Sequence, residues 1–174
     1  MDLWKEKSKT QLGYPCNFGY EYEEVFHFLK YNLNNVGDPF LGSNYNFNSM
    51  SLERKVLDFF AELWGVKTDY WGYVTFSGTE GNMEGILIGR ERFPNGIFYT
   101  SDQSHYSIFK IIKLFKLDVI IVPTYSNGEI NYEEFEKLLD TSKPAIINAN
   151  IGTTMKGAVD AVSYTHLTLP TSPK

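Results

Sequence analysis

The sequence is short of cysteine, of basic residues and of long apolar runs. One of its 174 residues is a cysteine, Cys16, so an internal disulfide framework and a multi-thiolate metal site are excluded. Sixteen basic residues stand against 21 acidic ones, giving a net charge of -5. This balance provides no basic field to hold a phosphate backbone, and we therefore expect no nucleic-acid partner.

No run of about 18 apolar residues occurs, and the first residues lack the continuous apolar segment of a signal peptide. We therefore expect no membrane span and a cytoplasmic location. Histidines paired with carboxylates at helical spacing are also lacking, so the sequence predicts no metal site. With 43% hydrophobic and 21% charged residues, the chain is typical of one globular domain or of part of a larger one.

Two amphipathic patterns in the first third of the chain predict helices. Apolar residues recur at a spacing of three to four over residues 21–34. A second pattern runs to Leu63, with Ser49 or Ser51 placed to cap its start. Gly65 is placed to end this helix in a left-handed conformation.

From residue 70 onward, short β-branched or aromatic runs alternate with helical patterns. The predicted strands are 70–76, 97–100, 119–122 and 145–148, and the predicted helices between them are 80–93, 105–115 and 132–139. Strands separated by helices in this way form a parallel sheet with helical crossovers on its faces. The predicted fold class is therefore α/β.

A polar turn, Ser77-Gly78-Thr79-Glu80-Gly81-Asn82, lies where the first predicted strand passes into a helix. Free backbone N–H groups and hydroxyls at a helix start favour an anion site. The same residue types also serve as ordinary helix caps and tight turns, so this alternative stays open. Gly81, Gly85 and Gly89 then repeat along one helix face, which indicates close approach by another backbone or by a cofactor.

Polar residues also follow the next strands. His105, in Ser104-His105-Tyr106-Ser107, lies at a strand-to-helix junction on the side where α/β sheets bind ligands. A hydrogen-bonded structural histidine is an equal alternative. The block from Asn150 to Thr154 follows the last strand, either as a plain loop or as part of the same edge. Together these strand ends favour a small-molecule pocket that holds an anionic group.

Several blocks, taken together, resemble the group II pyridoxal-phosphate-dependent amino-acid decarboxylases. They are GYPCNFGYEY, NNVGDPF-x-x-SNY, YWGYVTFSGTEGN, GRERFPNGIFYTSDQSHYS, NGEI and NIGTTMKGAVD, and they span about residues 13–160. The resemblance is nearest to the histidine decarboxylase and plant serine decarboxylase-like branch. It implies a fold-type I enzyme with a mostly parallel sheet in its large domain, and a homodimer with the active site at the subunit interface.

The resemblance also implies roles for single residues. Ser77, Gly78 and Thr79 match the turn that holds the phosphate of pyridoxal 5'-phosphate, with Asn82 nearby. His105 matches the histidine over the cofactor ring, close to the substrate, where it would help to protonate the reacting carbon. One of Thr153 and Thr154 is expected near the ring hydroxyl or the substrate. In the N-terminal segment, Asn17 is expected to touch the amino-acid substrate.

Two functional blocks of the family do not occur in these residues. They are an Asp-Gly-Ala type block, whose aspartate pairs with the ring nitrogen, and a Ser-x-His-Lys type block, whose lysine binds the cofactor covalently. We expect both to lie beyond Asp160 of the native chain. Residues 162–174 (VSYTHLTLPTSPK) carry no acidic residue and no helical period, and we interpret them as a non-native tail.

The resulting hypothesis is a truncated decarboxylase of histidine or serine, inactive by itself. Its predicted parts are an N-terminal segment and helix at 1–48, a partial cofactor-binding large domain at 49–161, and the tail at 162–174. Two alternatives stay open: a catalytically empty α/β module that acts only through a partner chain, and another fold-type I enzyme with the same cofactor.

Overall fold

The computed structural model describes residues 2–10, 19 and 21–161. The chain divides into two compact units, Met1–Val74 and Thr75–Lys174. The predicted tail at 162–174 lies outside the described residues, and the predicted boundary between residues 48 and 49 stays a prediction. No helix among the described residues is long and apolar enough to cross a membrane.

The first unit is mainly helical. Its elements are helix α1 (Asp2–Thr10), a 3₁₀ helix (Glu23–Lys30), strands β1 (Gly37–Asp38) and β2 (Gly42–Ser43), and helix α2 (Met50–Leu63). The two short strands pair in antiparallel fashion. Helix α2 begins after Ser49, whose side chain makes no capping hydrogen bond, so the predicted position of the start is confirmed without the predicted cap. Gly65 has a φ of 68°, so the predicted left-handed end of this helix is confirmed.

The α-helix predicted over residues 21–34 is wrong in type and length. The structure has a 3₁₀ helix over Glu23–Lys30, and the N–H groups of Val25 and Tyr31 bond to carbonyls three residues back. Its apolar side chains are exposed, Leu29 to 81%. Because an amphipathic α-helix owes most of its stability to packing of the apolar face, this segment lacks the packing that would favour the wider helix.

The second unit is a parallel sheet covered by helices on both faces. Its helices are α3 (Gly78–Arg92), α4 (Tyr106–Phe115) and α5 (Tyr132–Leu138), and its strands are β3 (Ile97–Ser101), β4 (Val119–Val122) and β5 (Ala145–Asn148). Strand β3 lies in the centre and pairs in parallel with β4 and β5. The prediction of an α/β fold with helical crossovers is confirmed for this unit.

The alternation of side chains along β3 divides the core into two parts. Phe98 packs with Ile86 of α3 and Ile111 of α4 on one face. Tyr99 packs with Phe135 of α5 on the other face. Since successive side chains of a strand point to opposite faces, a strand covered on both sides has every side chain buried. All five residues of β3 are accordingly buried.

The strand predicted at residues 70–76 does not form. Two of its N–H groups bond to side chains: that of Val74 donates to Glu53 Oε1 at 2.9 Å, and that of Phe76 donates to Glu80 Oε2 at 2.5 Å. A β-strand needs a partner for its backbone groups. The aromatic and β-branched composition of this segment is thus compatible with a strand but does not provide that partner.

Close packing explains one glycine of the predicted glycine face. A Cβ built on Gly89 would lie 2.9 Å from Cγ2 of Ile146, so α3 approaches β5 at this point more closely than alanine allows. At Gly85 a Cβ would meet nothing within 4 Å. The repeat predicts close approach by another backbone or by a cofactor, whereas the neighbour at Gly89 is a side chain and Gly85 has no near neighbour among the described residues.

Candidate functional site

The start of α3 presents hydrogen-bond donors to solvent. Ser77 is the N-cap residue, and its Oγ accepts from the N–H of Glu80 at 3.5 Å. Ser77, Gly78 and Thr79 are all exposed. Because the first N–H groups of a helix have no intrahelical acceptor, this turn combines unused amides, hydroxyls and the positive end of a helix. Such a donor set fits a phosphate group.

His105 is the N-cap residue of α4, and its side chain is half-buried. Its Nδ1 accepts from the N–H of Ser107 at 3.3 Å and lies 2.8 Å from Ser107 Oγ. The ring also stacks obliquely on that of Tyr106, with the centroids 4.2 Å apart. Strand β3 runs directly into this turn, so its position at the carboxyl edge of the sheet is confirmed.

Asn82 reaches towards His105 from the first turns of α3. Its Nδ2 lies 3.0 Å from Ser107 Oγ, the same hydroxyl that contacts the His105 ring. Since α3 and α4 flank β3 in the sequence, one before it and one after it, the starts of both helices lie at the carboxyl edge of the sheet. The structure thereby joins two of the predicted site residues, Asn82 and His105, through one hydroxyl.

A buried set of polar side chains supports the turn before His105. Ser104 Oγ lies 2.8 Å from Thr100 Oγ1 and 3.2 Å from Ser101 Oγ. It also receives hydrogen bonds from the side-chain amides of Asn148, at 3.2 Å, and Asn150, at 3.1 Å. Among the described residues, no buried side-chain oxygen or nitrogen lacks a hydrogen-bond partner. A fully satisfied network of this kind holds a loop in one conformation.

Asp160 anchors the far side of this network. Its carboxylate accepts from the N–H of Ile130 at 2.8 Å, from the N–H of Asn150 at 2.7 Å and from Asn150 Nδ2 at 3.0 Å. The residue is 3% exposed. Three N–H donors offset the desolvation of this buried carboxylate, which links the loop after β5 to the start of α5.

The remaining predicted site residues differ in their surroundings. Thr153 is buried, and its Oγ1 accepts from the N–H of Ala158 at 3.0 Å, which leaves its hydroxyl hydrogen to be donated elsewhere. Thr154 is exposed. Within the described residues neither threonine shares a hydrogen bond with His105. Asn17 lies outside the described residues, so its predicted contact with the substrate stays a prediction.

Replacing Asp160 with asparagine is expected to lower the free energy of unfolding by about 2–4 kcal/mol. The N–H₂ group of the new amide would face one of the two backbone N–H groups, of Ile130 or of Asn150, that now bond to the two carboxylate oxygens. Urea unfolding followed by circular dichroism measures the change.

Asp118→Asn is the matched control, because that side chain is 70% exposed and its ion pair with Lys143 is 3.4 Å long. We expect a change of less than about 1 kcal/mol in this variant. Equal unfolding energies for the two variants would contradict the anchoring role of Asp160.

Sequence reasoning missed three contributors to the site: Ser107, Asn148 and Asp160. Asn148 and Asp160 carried a usable signal, since each is a polar residue that directly follows an apolar run. Ser107 carried none, because a serine in the first turn of a helix is ordinary. Its importance depends on a contact with α3, 25 residues away in the chain.

The first unit holds a carboxylate with a shifted pKa, that of Asp38. The pKa of Asp38 is lowered by a hydrogen bond from the N–H of Phe40 and by another from Trp71 Nε1. No group of three or more His, Cys, Asp or Glu side chains that could hold a metal ion occurs in the described part of the chain. None of the predicted site residues takes part in these hydrogen bonds of Asp38.

The chain matches a family model described as the pyridoxal-dependent decarboxylase conserved domain over residues 41–169. Serine decarboxylase 3 from Oryza sativa subsp. japonica is 53% identical over 160 residues, which are 89% of this chain and 36% of the relative. Histidine decarboxylase from Solanum lycopersicum is 45% identical over 174 residues, 97% of this chain and 42% of the relative. The chain thus spans well under half the length of the curated relatives it matches.

The crystal structure of L-methionine decarboxylase from Streptomyces sp. 590 is similar in fold to most of this chain. The TM-score is 0.83 at 24% sequence identity, and the match covers 94% of this chain and 44% of that one. At this identity the likeness shows the fold alone. It confirms the predicted fold class, the large domain of a fold-type I enzyme in partial form.

Proposed function

Because the chain belongs to the pyridoxal-dependent decarboxylase family, we propose that it is part of an enzyme that converts L-serine or L-histidine to the corresponding amine and carbon dioxide. The family are carboxy-lyases whose cofactor is pyridoxal phosphate. Relatives named for serine and for histidine support the two substrates at similar identity. The observation that carries the proposal is the placement of His105 and the start of α3 at one edge of the sheet, joined through Ser107.

The exposed turn at the start of α3 is proposed to hold the phosphate of the cofactor. Ser77 and Thr79 contribute hydroxyls, and Gly78 and Thr79 contribute backbone N–H groups at the positive end of the helix. The nearby carboxylate of Glu80 accepts from the N–H of Phe76, which ties it to the preceding loop. The donor set suits a dianion, since it combines hydroxyls and amides with the helix dipole.

When bound, pyridoxal phosphate supplies an acceptor for the electron pair that the departing carboxyl group leaves behind. The residues of this chain are proposed to bind and orient the cofactor and the substrate. His105 is proposed to face the cofactor ring and to return a proton to the substrate carbon. One of Thr153 and Thr154 is proposed to hold the ring hydroxyl or the substrate. The buried hydroxyls and amides around Ser104 keep the turn before His105 in place.

The function is tested in the complete enzyme that contains this chain, supplied with pyridoxal phosphate. Carbon dioxide and amine release are measured with L-serine, L-histidine and L-methionine in parallel. We expect ethanolamine from serine or histamine from histidine, with methionine at least about tenfold poorer in kcat/KM, since pocket groups made for a polar side chain are left unpaired by an apolar one. Cofactor-loaded enzyme that releases no amine from serine or histidine would refute the proposal.

Removing both hydroxyls of the phosphate turn, Ser77→Ala with Thr79→Ala, is expected to weaken cofactor retention more than it slows the chemical step. Each lost hydrogen bond to a charged group is worth about 1.5–3 kcal/mol, so the loss of two should weaken retention by roughly a hundredfold or more. The measurement is the cofactor absorbance that remains on the complete enzyme after dialysis, beside kcat at saturating cofactor.

Ser126→Ala with Thr141→Ala is the matched control, because both side chains are exposed and neither belongs to the proposed site. Equal retention in the two double variants would mean that the turn has only a structural role. The predicted homodimer and the predicted cytoplasmic location stay predictions.

A further inference from the structure

The donor and the acceptor of each hydrogen bond around His105 follow from one group that can only donate. The backbone N–H of Ser107 points at His105 Nδ1 from 3.3 Å. An amide N–H can only donate, so Nδ1 is an acceptor and carries no hydrogen. The neutral ring must then carry its hydrogen on Nε2.

The side chain of Ser107 donates to the same nitrogen as its backbone N–H does. Its Oγ lies 2.8 Å from Nδ1, and because Nδ1 accepts, the hydroxyl is the donor of this bond. A hydroxyl has a single hydrogen, so the oxygen turns a lone pair towards its other neighbour. That neighbour is Nδ2 of Asn82 at 3.0 Å, which donates. Ser107 is completely buried, and water therefore does not compete for its hydroxyl.

We propose that Asn82 and Ser107 are positioning residues that fix the tautomer and the ring orientation of His105, with the hydrogen held on Nε2. The proposal deepens the proposed function and rests on it for the role of His105 in the reaction. Asn82 lies four positions after Gly78 on α3. One helix therefore provides the donors for the phosphate at its first residues and orients the proposed proton donor one turn later.

A purely structural role of the two residues predicts a different result. Asn82 and Ser107 could tie α3 to α4 without any effect on the histidine ring. In that case, changing the direction of the hydrogen bonds would leave the position of the ring hydrogen unchanged. The tautomer of His105 is thus the readout that separates positioning from packing.

The test uses ¹⁵N-histidine labelling of the chain and two-bond ¹H–¹⁵N correlation spectra at a pH where the ring is neutral. The chain has three histidines, and the signals of His105 are those lost in His105→Gln. We expect the parent chain to show His105 with the hydrogen on Nε2 and with Nδ1 in the frequency range of a hydrogen-bonded acceptor. A neutral ring with its hydrogen on Nδ1 would overturn the proposal without any further variant.

Asn82→Asp exchanges donor and acceptor in the hydrogen bonds that run from residue 82 through Ser107 to His105. A carboxylate only accepts, so the Ser107 hydroxyl would turn to Asp at position 82 and present a lone pair to Nδ1. We expect the ratio of the tautomers to shift by about tenfold or more towards Nδ1–H, because the new hydrogen bond to an ionised acceptor is stronger than the 3.3 Å bond from the Ser107 N–H that this tautomer gives up. Asn95→Asp makes the same chemical change at an exposed position beyond the opposite end of α3 and is expected to leave the ratio unchanged.

Ser107→Ala provides a second route if Asn82→Asp does not fold. Loss of the hydroxyl should move the Nδ1 frequency towards that of a weakly bonded nitrogen, whereas Ser126→Ala should not change it. Equal tautomer ratios in Asn82→Asp and Asn95→Asp, or an unchanged Nδ1 frequency in Ser107→Ala, would overturn the proposal.

These spectra need neither cofactor nor substrate, so they are independent of the assay that tests the proposed function. In the complete enzyme we expect Asn82→Asp to lower kcat by about tenfold with little change in KM, and to alter the pH profile of kcat. An enzyme that releases no amine refutes the proposed function. A tautomer that does not respond to Asn82→Asp refutes the positioning role.

Discussion

Replacing His105 with alanine in the complete enzyme is expected to lower kcat by about two to four orders of magnitude, the usual contribution of a positioned acid or base. The ring is half-buried at the edge of the sheet and belongs to neither core cluster. Its removal therefore creates no large cavity. It does remove the N-cap acceptor for the Ser107 N–H, which should cost about 1 kcal/mol of stability.

His105→Asn separates the two effects of that change. Asparagine is a good N-cap residue, so this variant should regain most of the lost stability while it still lacks an imidazole. We expect both variants to be slow and only His105→Ala to be less stable. The measurements are kcat for amine release and the urea midpoint of unfolding. Near-parent turnover in His105→Asn would contradict the catalytic role of the histidine.

The second large effect concerns the 174-residue chain by itself, which is expected to release no amine from any amino acid. The sequence contains no His-Lys pair and no Asp-Gly pair, so neither block that the family uses for covalent attachment and for the ring nitrogen occurs in it. Asp160 does not replace the missing aspartate, because three N–H groups already occupy its buried carboxylate. Lys156 is not expected to replace the missing lysine either, because it is exposed and its Nζ donates to the carbonyl of Ser126.

The measurement combines an activity assay with chemical trapping. The chain is mixed with pyridoxal phosphate, reduced with borohydride and digested, and the modified lysines are mapped by mass spectrometry. We expect scattered modification well below one equivalent, whereas the complete enzyme should show one modified lysine at full occupancy. A single stoichiometric lysine in the 174-residue chain, together with amine from serine or histidine, would contradict the missing-block hypothesis.

The second unit was predictable because its sequence and its packing agree. Strand β4 begins and ends where its apolar run does, and β5 begins with its apolar run and extends one residue beyond it, to Asn148. Helix α4 has an apolar face that packs on β3, so its periodicity is retained in the structure. In the first unit this agreement fails. The apolar side chains of Glu23–Lys30 are exposed, and an amphipathic pattern that is not buried does not specify an α-helix.

The candidate site was predictable in position more than in detail. Polar residues after a buried strand lie at the carboxyl edge of a parallel sheet, so His105 could be assigned to that edge. The start of α3 was assigned to it from a predicted strand that does not form, and it lies there because α3 leads into the opposite end of β3. Their partners could not. The contact of Asn82 with Ser107 joins residues 25 apart, and that of Asp160 with Ile130 joins residues 30 apart. Such contacts depend on how helices and loops pack on the sheet.

The sequence by itself determined the parallel sheet, its helical crossovers and the edge where the site lies, because local periodicity and strand order decide these features. It also determined the family, through blocks of residues in a set order. Only the tertiary structure decided that residues 70–76 form no strand, since a strand exists only with a partner. The tertiary structure likewise decided that Asn82 contacts Ser107, because this hydrogen bond requires atoms of two separate helices to lie within about 3 Å of each other.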